Sequence, residues 1–417
     1  MTFKVKDMKL SEKGKLQIEW AEKQMPVLMM VTGEFLKSKP FNGLIIAACL
    51  HVTKETAVLV KALKAGGATV AVCGSNPLST QDDVAAALAD EGINIFAWKN
   101  QTNEDYYWCI NEVLNFKPNI TLDDGADLIN TIHTKRTELL PKIFGGQEET
   151  TTGVIRLRAM AKDKALKYPV IAINDTPTKS MFDNVYGTGQ SAIDGIIRAT
   201  NVLMAGKAFV VSGYGQCGGG IARIARGMNA NVIVTEVDAI KGLKAAMDGF
   251  RVMPMIDAAK IGDIFCTATG CNDSIRKEHF MVMKDGAILA NAGHFNVEIS
   301  APDLENISSS KRKIRDFVEE YTTKDGRKIY LIAEGRLVNL AAAEGHPSSV
   351  MDMSFSNQVL CCEFLAKNYK QMKPDVHEVP KEIDSKIARL KLESLGIKID
   401  NLSKDQQKYL TSWKDGT

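Results

Sequence analysis

The chain has 417 residues, 45% hydrophobic and 24% charged, with 52 Lys plus Arg against 50 Asp plus Glu. This globular composition has room for two or three domains of roughly 100–200 residues, and a net charge of +2 gives no electrostatic case for nucleic acid or an anionic membrane. No unbroken apolar stretch of about 18 residues occurs, the start MTFKVKDMKL lacks the apolar core of a secretory signal, and the eight cysteines follow no metal or disulfide spacing. The expectation is a cytoplasmic chain with reduced, mostly buried thiols and no metal, nucleic-acid or membrane partner.

Short β-branched runs alternate with helical stretches, which predicts an α/β fold. The first strand is predicted over Leu44–Leu50 and a helix over Thr53–Ala65, closed by Gly66-Gly67. Strand Thr69–Cys73, a helix near Gln81–Glu91 and strand Ile93–Phe96 follow. Ile120–Leu122 runs into Asp123-Asp124-Gly125, and Val170–Ile173 into Asn174-Asp175. Parallel sheets bind ligands at strand carboxyl ends, and these ends are polar. A second α/β block begins near Gly187, with strands Ala208–Ser212, Asn231–Thr235 and Ala287–Ala290, and a helix over Ile221–Met228. Ser308–Lys313 reads as a solvated turn. Ser348–Lys367 reads as an amphipathic helix returning to the first block, and residues 378–417 as a charged helical arm.

Gly213-x-Gly215-x-x-Gly218 lies between a predicted strand and a predicted helix. The first glycine permits the tight turn, the second lets backbone approach a pyrophosphate, and the third lets helix pack on strand. Glu236 ends the next strand, 21 residues after Gly215. A carboxylate there accepts from both ribose hydroxyls of NAD and repels a 2′-phosphate; Lys241 is the one mark for NADP. A glycine-rich turn without a ligand is the alternative. The predicted organisation is two Rossmann-like doubly wound parallel-sheet domains plus a small helical C-terminal arm. The first domain spans 1–184 and is completed by 347–377, the second spans 185–346, and the arm spans 378–417.

Polar clusters stand at the strand ends of the first domain. Thr53 is an N-cap candidate, whereas His51 at a strand end has no such ordinary explanation. Asp123, Asp124 and Asp127 crowd three carboxylates into five residues, which raises proton affinity; a cap and solvated turn is the alternative. Gln147–Gly153 is a run of acceptors and hydroxyls, or a capped loop. Lys179 and Asp183 are four apart, the spacing of an exposed helical ion pair as well as of a site.

Taken together, the chain resembles the S-adenosylhomocysteine hydrolases over nearly its whole length. The residues that carry this are Leu50-His51-Val52-Thr53-Lys54-Glu55-Thr56-Ala57, Ser79-Thr80-Gln81-Asp82, Leu122-Asp123-Asp124-Gly125 and Glu148-Glu149-Thr150-Thr151-Thr152-Gly153. They continue in Lys179–Tyr186, Gly213-Tyr214-Gly215, Gly293-His294-Phe295, Ala333–Leu340 and Gly345-His346-Pro347. The resemblance implies reversible, NAD-dependent hydrolysis of a thioether to homocysteine and adenosine. The ribose 3′-OH is oxidised, which acidifies the C4′ proton; homocysteine is eliminated, water adds, and the ketone is reduced again. The family also implies a homotetramer with the arm at its interface.

The resemblance further implies roles. Lys179, with a depressed pKa, and Asp183 act at the ribose hydroxyls, with Glu149 binding them. Asp124 acts near C4′ and C5′, His51 at C5′, and His294 beside the amino-acid part and cofactor. Thr53, Glu55 and His346 hold the base. Thr150, Thr151, Thr152, Asn184, Glu236, Ala292, Gly293, His294 and Asn339 contact NAD, with Gly213, Tyr214, Gly215, Gln216, Cys217 and Gly218 on its pyrophosphate. The segments around Asn184 and His346 are the hinges. Several positions depart from the family: Thr188 replaces a Cys, Glu344 a Met near the base, Asp83 a His, Asn296 an Asp and Lys241 an Asn. The ending Lys414–Thr417 lacks a Lys- and Tyr-containing extension that reaches a neighbour's NAD in longer relatives, from which looser NAD binding is expected. The short tail and Gly187-Thr188-Gly189-Gln190-Ser191 resemble the archaeal and thermophile-type branch, some members of which take S-inosylhomocysteine. Glu55 accepts from adenine N6–H or hypoxanthine N1–H, so both purines stay open. An ordinary NAD-dependent dehydrogenase and a non-catalytic nucleotide-binding protein are the rival readings; the second is opposed by the full set of polar residues.

Overall fold

The computed structural model describes residues 2–413; the ending Lys414–Thr417 discussed above lies outside them. The first sheet takes strands β1 (Phe3–Lys4), β2 (Ile45–Cys49), β3 (Thr69–Cys73), β4 (Asn94–Phe96), β5 (Ile120–Asp123), β6 (Gly145–Glu148) and β7 (Val170–Ala172). The second takes β8 (Ala208–Ser212), β9 (Asn231–Thr235), β10 (Arg251–Val252), β11 (Ile264–Thr267), β12 (Ala287–Asn291), β13 (Ser308–Arg315), β14 (Val318–Thr323) and β15 (Lys328–Ile332). The chain then returns, and β16 (Val376–Glu378) pairs with β7 in the first sheet.

The order of the first sheet is β1-β4-β3-β2-β5-β6-β7-β16, all pairs parallel. Its direction of winding reverses between β2 and β5, where Cys49 lies opposite Asp123. Diverging connections leave a crevice beyond the strand ends at such a reversal. His51 follows β2 and Asp124 follows β5, so topology alone sets them side by side. The second sheet runs β10-β9-β8-β11-β12-β15-β14-β13 and reverses between β8 and β11. The Gly213 loop leaves β8 at that point.

Burial on both faces explains the apolar runs of the central strands, such as Phe209-Val210-Val211 and Ile233. Each large side chain buried there is worth about 1.5–3 kcal/mol. The second sheet ends in an antiparallel hairpin, β13 with β14, so it is mixed rather than wholly parallel. Ser308–Lys313 is therefore an exposed edge strand and not a turn; its Lys and Arg residues pair across to Glu319 and Glu320.

Two helices, Ser11–Gln24 and Pro26–Ser38, precede the first long strand, with Pro26 at an N-terminal helical position. Buried Asp352, on the helix Ser348–Asn368, accepts from the backbone N–H groups of Val27 and Leu28 at 3.2 and 2.8 Å, and from Lys391 at 2.9 Å. One carboxylate thus ties the N-terminal region, the returning helix and the helix Lys381–Ser394. The chain crosses between the sheets near Val185–Gly189 and again near His346, and the crossings touch: a Cβ on Gly187 would sit 2.9 Å from His346 Nδ1.

Candidate active site

Four strand ends of the first sheet supply one wall of a cavity that encloses about 820 Å³ of empty space, its mouth included. His51 follows β2, Asp124 follows β5, Glu149 follows β6, and Lys179 lies beyond β7. From the second sheet come Ala292 and His294 after β12, Asn339 after β15, and Cys217 of the glycine loop. Thr53, Glu55, Thr150, Thr151, Asp183, Asn184 and His346 also line it.

His51, Asp124 and His294 form a close group. His51 Nε2 is 3.4 Å from Asp124 Oδ2, and His294 Nδ1 is 3.7 Å from Asp124 Oδ1. His51 Nδ1 lies 2.7 Å from Ser79 Oγ, which fixes the ring plane. Burial pushes the His51 pKa down to about 4, against the pull of Asp124, so the ring is neutral at neutral pH.

The three aspartates after β5 divide their work. Asp123 accepts from the backbone N–H groups of Asp124 (3.0 Å) and Ile129 (2.8 Å), fastening the next helix. Asp127 pairs with Arg156 at 2.8 Å. Only Asp124 lines the cavity. Buried Glu148 braces its loop, accepting from the N–H groups of Gly125 (2.8 Å), Ala126 (3.0 Å) and Thr150 (3.0 Å). Gly125 has φ +111°, and any side chain there would run into the His294 ring.

Lys179 and Asp183 are 4% and 1% exposed, so their four-residue spacing serves a buried cluster and not a surface pair. Lys179 Nζ lies 3.7 Å from Glu149 Oε1 and 3.6 Å from Asp183 Oδ2. It donates to Asn184 Oδ1 at 2.8 Å and Asn174 Oδ1 at 3.2 Å. Burial works against its charge, but Asp183 and Glu149 outweigh burial and hold its pKa above the usual lysine value. The depressed pKa expected from the sequence is thus reversed, because two carboxylates flank the ammonium. Burial raises Glu149 to about 8, against the pull of Lys179. Asp183 stays well below the usual range: burial alone would raise it, but Lys179, His346 and Ser354 more than offset that.

Among the base-binding candidates, Thr53 caps the helix Lys54–Ala65 and also lines the cavity. Ser348 donates to Glu55 Oε1 at 2.6 Å. His346 has Nδ1 at 2.5 Å from Asp183 Oδ1 and Nε2 at 3.3 Å from Thr188 Oγ1, which leaves its backbone atoms for a purine. Glu344 turns instead to Lys54 (3.0 Å) and Arg198 (3.5 Å) and is not among the lining residues.

The residues present fit a dinucleotide. Gly213 has φ +92°, and a Cβ there would crowd Ala268 O at 2.7 Å, while open space surrounds Gly215. The helix Gln216–Gly227 starts within the motif, five residues earlier than Ile221, so its first N–H groups face the loop. Buried Asn339 donates to Ser191 Oγ at 3.2 Å, and its Oδ1 has no protein partner, as a carboxamide acceptor should. Glu236 accepts from the N–H of Tyr214 (2.7 Å), Val237 (2.7 Å) and Asp238 (3.0 Å), which sets its carboxylate at the loop. Thr152, Gly213–Gln216, Gly218, Glu236 and Gly293 stand outside the cavity lining. Glu236→Ala is expected to weaken NAD binding about 10-fold or more, as for loss of a charged hydrogen-bond acceptor, with little effect on adenosine affinity; calorimetric titration of each ligand checks this.

Residues 2–140 match the family described as S-adenosyl-L-homocysteine hydrolase, and 184–345 match its NAD binding domain. The adenosylhomocysteinase of Aquifex aeolicus is 61% identical, with all of both chains covered. The S-inosyl-L-homocysteine hydrolase of Methanocaldococcus jannaschii is 55% identical, again over all of both. The chain belongs to the S-adenosyl-L-homocysteine hydrolase family. At the level of fold, it is similar to a dipicolinate synthase chain of Bacillus halodurans, with a TM-score of 0.51 at 12% identity, covering 78% of this chain and 99% of that one.

Sequence reading placed Asn174 at a polar strand end without a role, though it accepts from Lys179, and it missed Ser354 and Gln358, which bond Asp183 and Glu149 directly, and Met351 and Phe355, which line the cavity. The signal was the helical period of Ser348–Asn368: residues three and four apart share a face, and that face is mixed rather than apolar.

Proposed function

We propose that the chain hydrolyses S-adenosyl-L-homocysteine to L-homocysteine and adenosine, with NAD as resident cofactor. The observation that carries this reading is one cavity lined by buried acid/base residues of the first sheet and by Cys217, Ala292, His294 and Asn339 of the second, whose glycine turn and Glu236 beyond the lining fit a dinucleotide. Bound NAD supplies reversible removal of hydride from the ribose carbon C3′. The protein's residues do the rest.

Glu149 and Asp183 bind the ribose hydroxyls, and Lys179 between them donates to O3′. The proton of the 3′-hydroxyl goes to the ionised form of Glu149, while Lys179 stabilises the developing charge on O3′. Lys179 already holds its proton, whereas Glu149, raised to about 8 by burial, changes charge nearest neutrality. Asp124 takes the C4′ proton. Neutral His51, its Nε2 3.4 Å from Asp124 Oδ2, relays the proton that Asp124 has taken from C4′ to the departing thiolate and later accepts one from the attacking water. Asn339, turned by Ser191, holds the nicotinamide carboxamide, and the crossings at Asn184 and His346 let the two halves close and exclude water. A homo-oligomer, probed first as a tetramer, fits the exposed apolar residues Ile397, Ile399, Leu402 and Leu410 of the C-terminal arm.

The inosyl thioether is the second reading, favoured by full-length identity of 55% to the Methanocaldococcus relative. With Oε1 of Glu55 taken by Ser348, Oε2 accepts one hydrogen bond from either purine. Side-by-side kinetics of purified, NAD-loaded enzyme test both. The expected result is a higher kcat/KM for the adenosyl substrate, in line with the 61% identity to the adenosylhomocysteinase of Aquifex aeolicus. A preference for the inosyl compound would reverse the assignment. Accumulation of reduced NAD in step with product would instead point to an ordinary dehydrogenase.

A further inference from the structure

We infer that Gln358 and Ser354 are positioning residues, fixing Glu149 and Asp183 around Lys179 from the helix behind them. This rests on the function proposed above and names what sets its ribose site.

Ser348, Met351, Ser354, Phe355 and Gln358 share an arc of about 120° on the helix Ser348–Asn368, at 3.6 residues per turn. Met351 and Phe355 line the cavity. The three polar members each donate to a different site carboxylate: Ser348 to Glu55 Oε1 (2.6 Å), Ser354 to Asp183 Oδ2 (2.8 Å) and Gln358 to Glu149 Oε2 (2.5 Å). Ser354 and Gln358 are 0% and 1% exposed, so bulk water has no access to replace their hydrogen bonds. Glu149 Oε1 has no hydrogen-bond partner in the protein, which leaves Gln358 as the donor that orients its carboxyl.

Packing does not call for a glutamine here. The Gln358 Oε1 is buried without a partner, and a methionine of similar length would fill the space with no orphan oxygen. Its backbone carbonyl is separately held by Gln147 Nε2 at 2.9 Å, so the helix does not depend on the side chain. The helix begins two residues after His346, where the chain returns from the second sheet. Any shift of that crossing therefore moves all three donors together.

Glu149 is faced by Lys179 and Asp183 from the segment beyond β7 and by Asp124 from the loop after β5, with His346 behind Asp183. A donor to the carboxylate favours its charged form, so loss of Gln358 raises its proton affinity. In holoenzyme carrying Gln358→Met, the rising limb of kcat/KM against pH is expected to move up by about one pH unit, and adenosine affinity at neutral pH to fall about 10-fold. An unchanged profile with unchanged affinity, whatever the melting temperature, would overturn the proposal. Glu149→Gln separates the two levels: full turnover in that variant would remove Glu149 from the chemistry and so sink the functional reading itself. If Gln358→Met does not fold, Ser354→Ala asks the same of Asp183. There kcat is expected to drop about 10-fold with KM within about twofold, as for an interaction that matters to the reacting state, and an unchanged kcat refutes the role.

Discussion

Lys179→Ala is expected to lower thioether hydrolysis by roughly 10³–10⁴-fold and to lower oxidation of the ribose 3′-hydroxyl with it, the scale of a lost acid/base and electrostatic group. The reason is positional. Lys179 is the cation between Glu149 at 3.7 Å and Asp183 at 3.6 Å, and no other lysine or arginine lines the cavity among the described residues. Removing one member of a buried ionic group also costs about 3–5 kcal/mol of stability. The cost should fall toward the low end, since Glu149, raised to about 8, can stay protonated. Single-turnover formation of reduced NAD on mixing with adenosine, overall hydrolysis and a thermal melt check the three parts. Wild-type oxidation with hydrolysis alone impaired would take Lys179 away from O3′.

Asp124→Asn is expected to separate the steps that Lys179→Ala lowers together. The side chain is nearly isosteric, and the loop that carries it is held by Asp123 and Glu148, so the fold should survive. Without a carboxylate there is no base at C4′, and His51 loses the charge that favours its protonation. Hydrolysis should fall by roughly 10²–10³-fold, while ribose oxidation stays within about 10-fold of wild type. Exchange of the C4′ hydrogen with deuterated solvent is the direct readout. Equal losses in oxidation and exchange would contradict the assignment.

The strand Gly145–Glu148 and the edge strand Ser308–Arg315 were illegible in the sequence for particular reasons. Gly145-Gly146-Gln147-Glu148 has almost no β-branched content; it is a strand because parallel neighbours on both sides complete its ladder. Ser308–Arg315 is polar apart from Ile314 and exists as a strand by pairing with β14. The Asp123, Asp124 and Asp127 group shows the same limit within the site. Its spacing places three carboxylates together but not which one faces the cavity; that was decided by backbone donors at Ile129 and by Arg156.

By itself the sequence determined the alternation of strands and helices, the glycine turn with an acidic residue at the end of the next strand, and the polar residues at strand ends, because these are set by local periodicity and by contacts close along the chain. Tertiary structure alone decided that Lys179 is held charged rather than neutral, that His346 serves Asp183, and that one returning helix supplies the donors behind three carboxylates. Those outcomes depend on burial and on pairs as far apart as Glu149 and Gln358, and the strength of a charge or a hydrogen bond is fixed by what surrounds it, not by its neighbours in sequence.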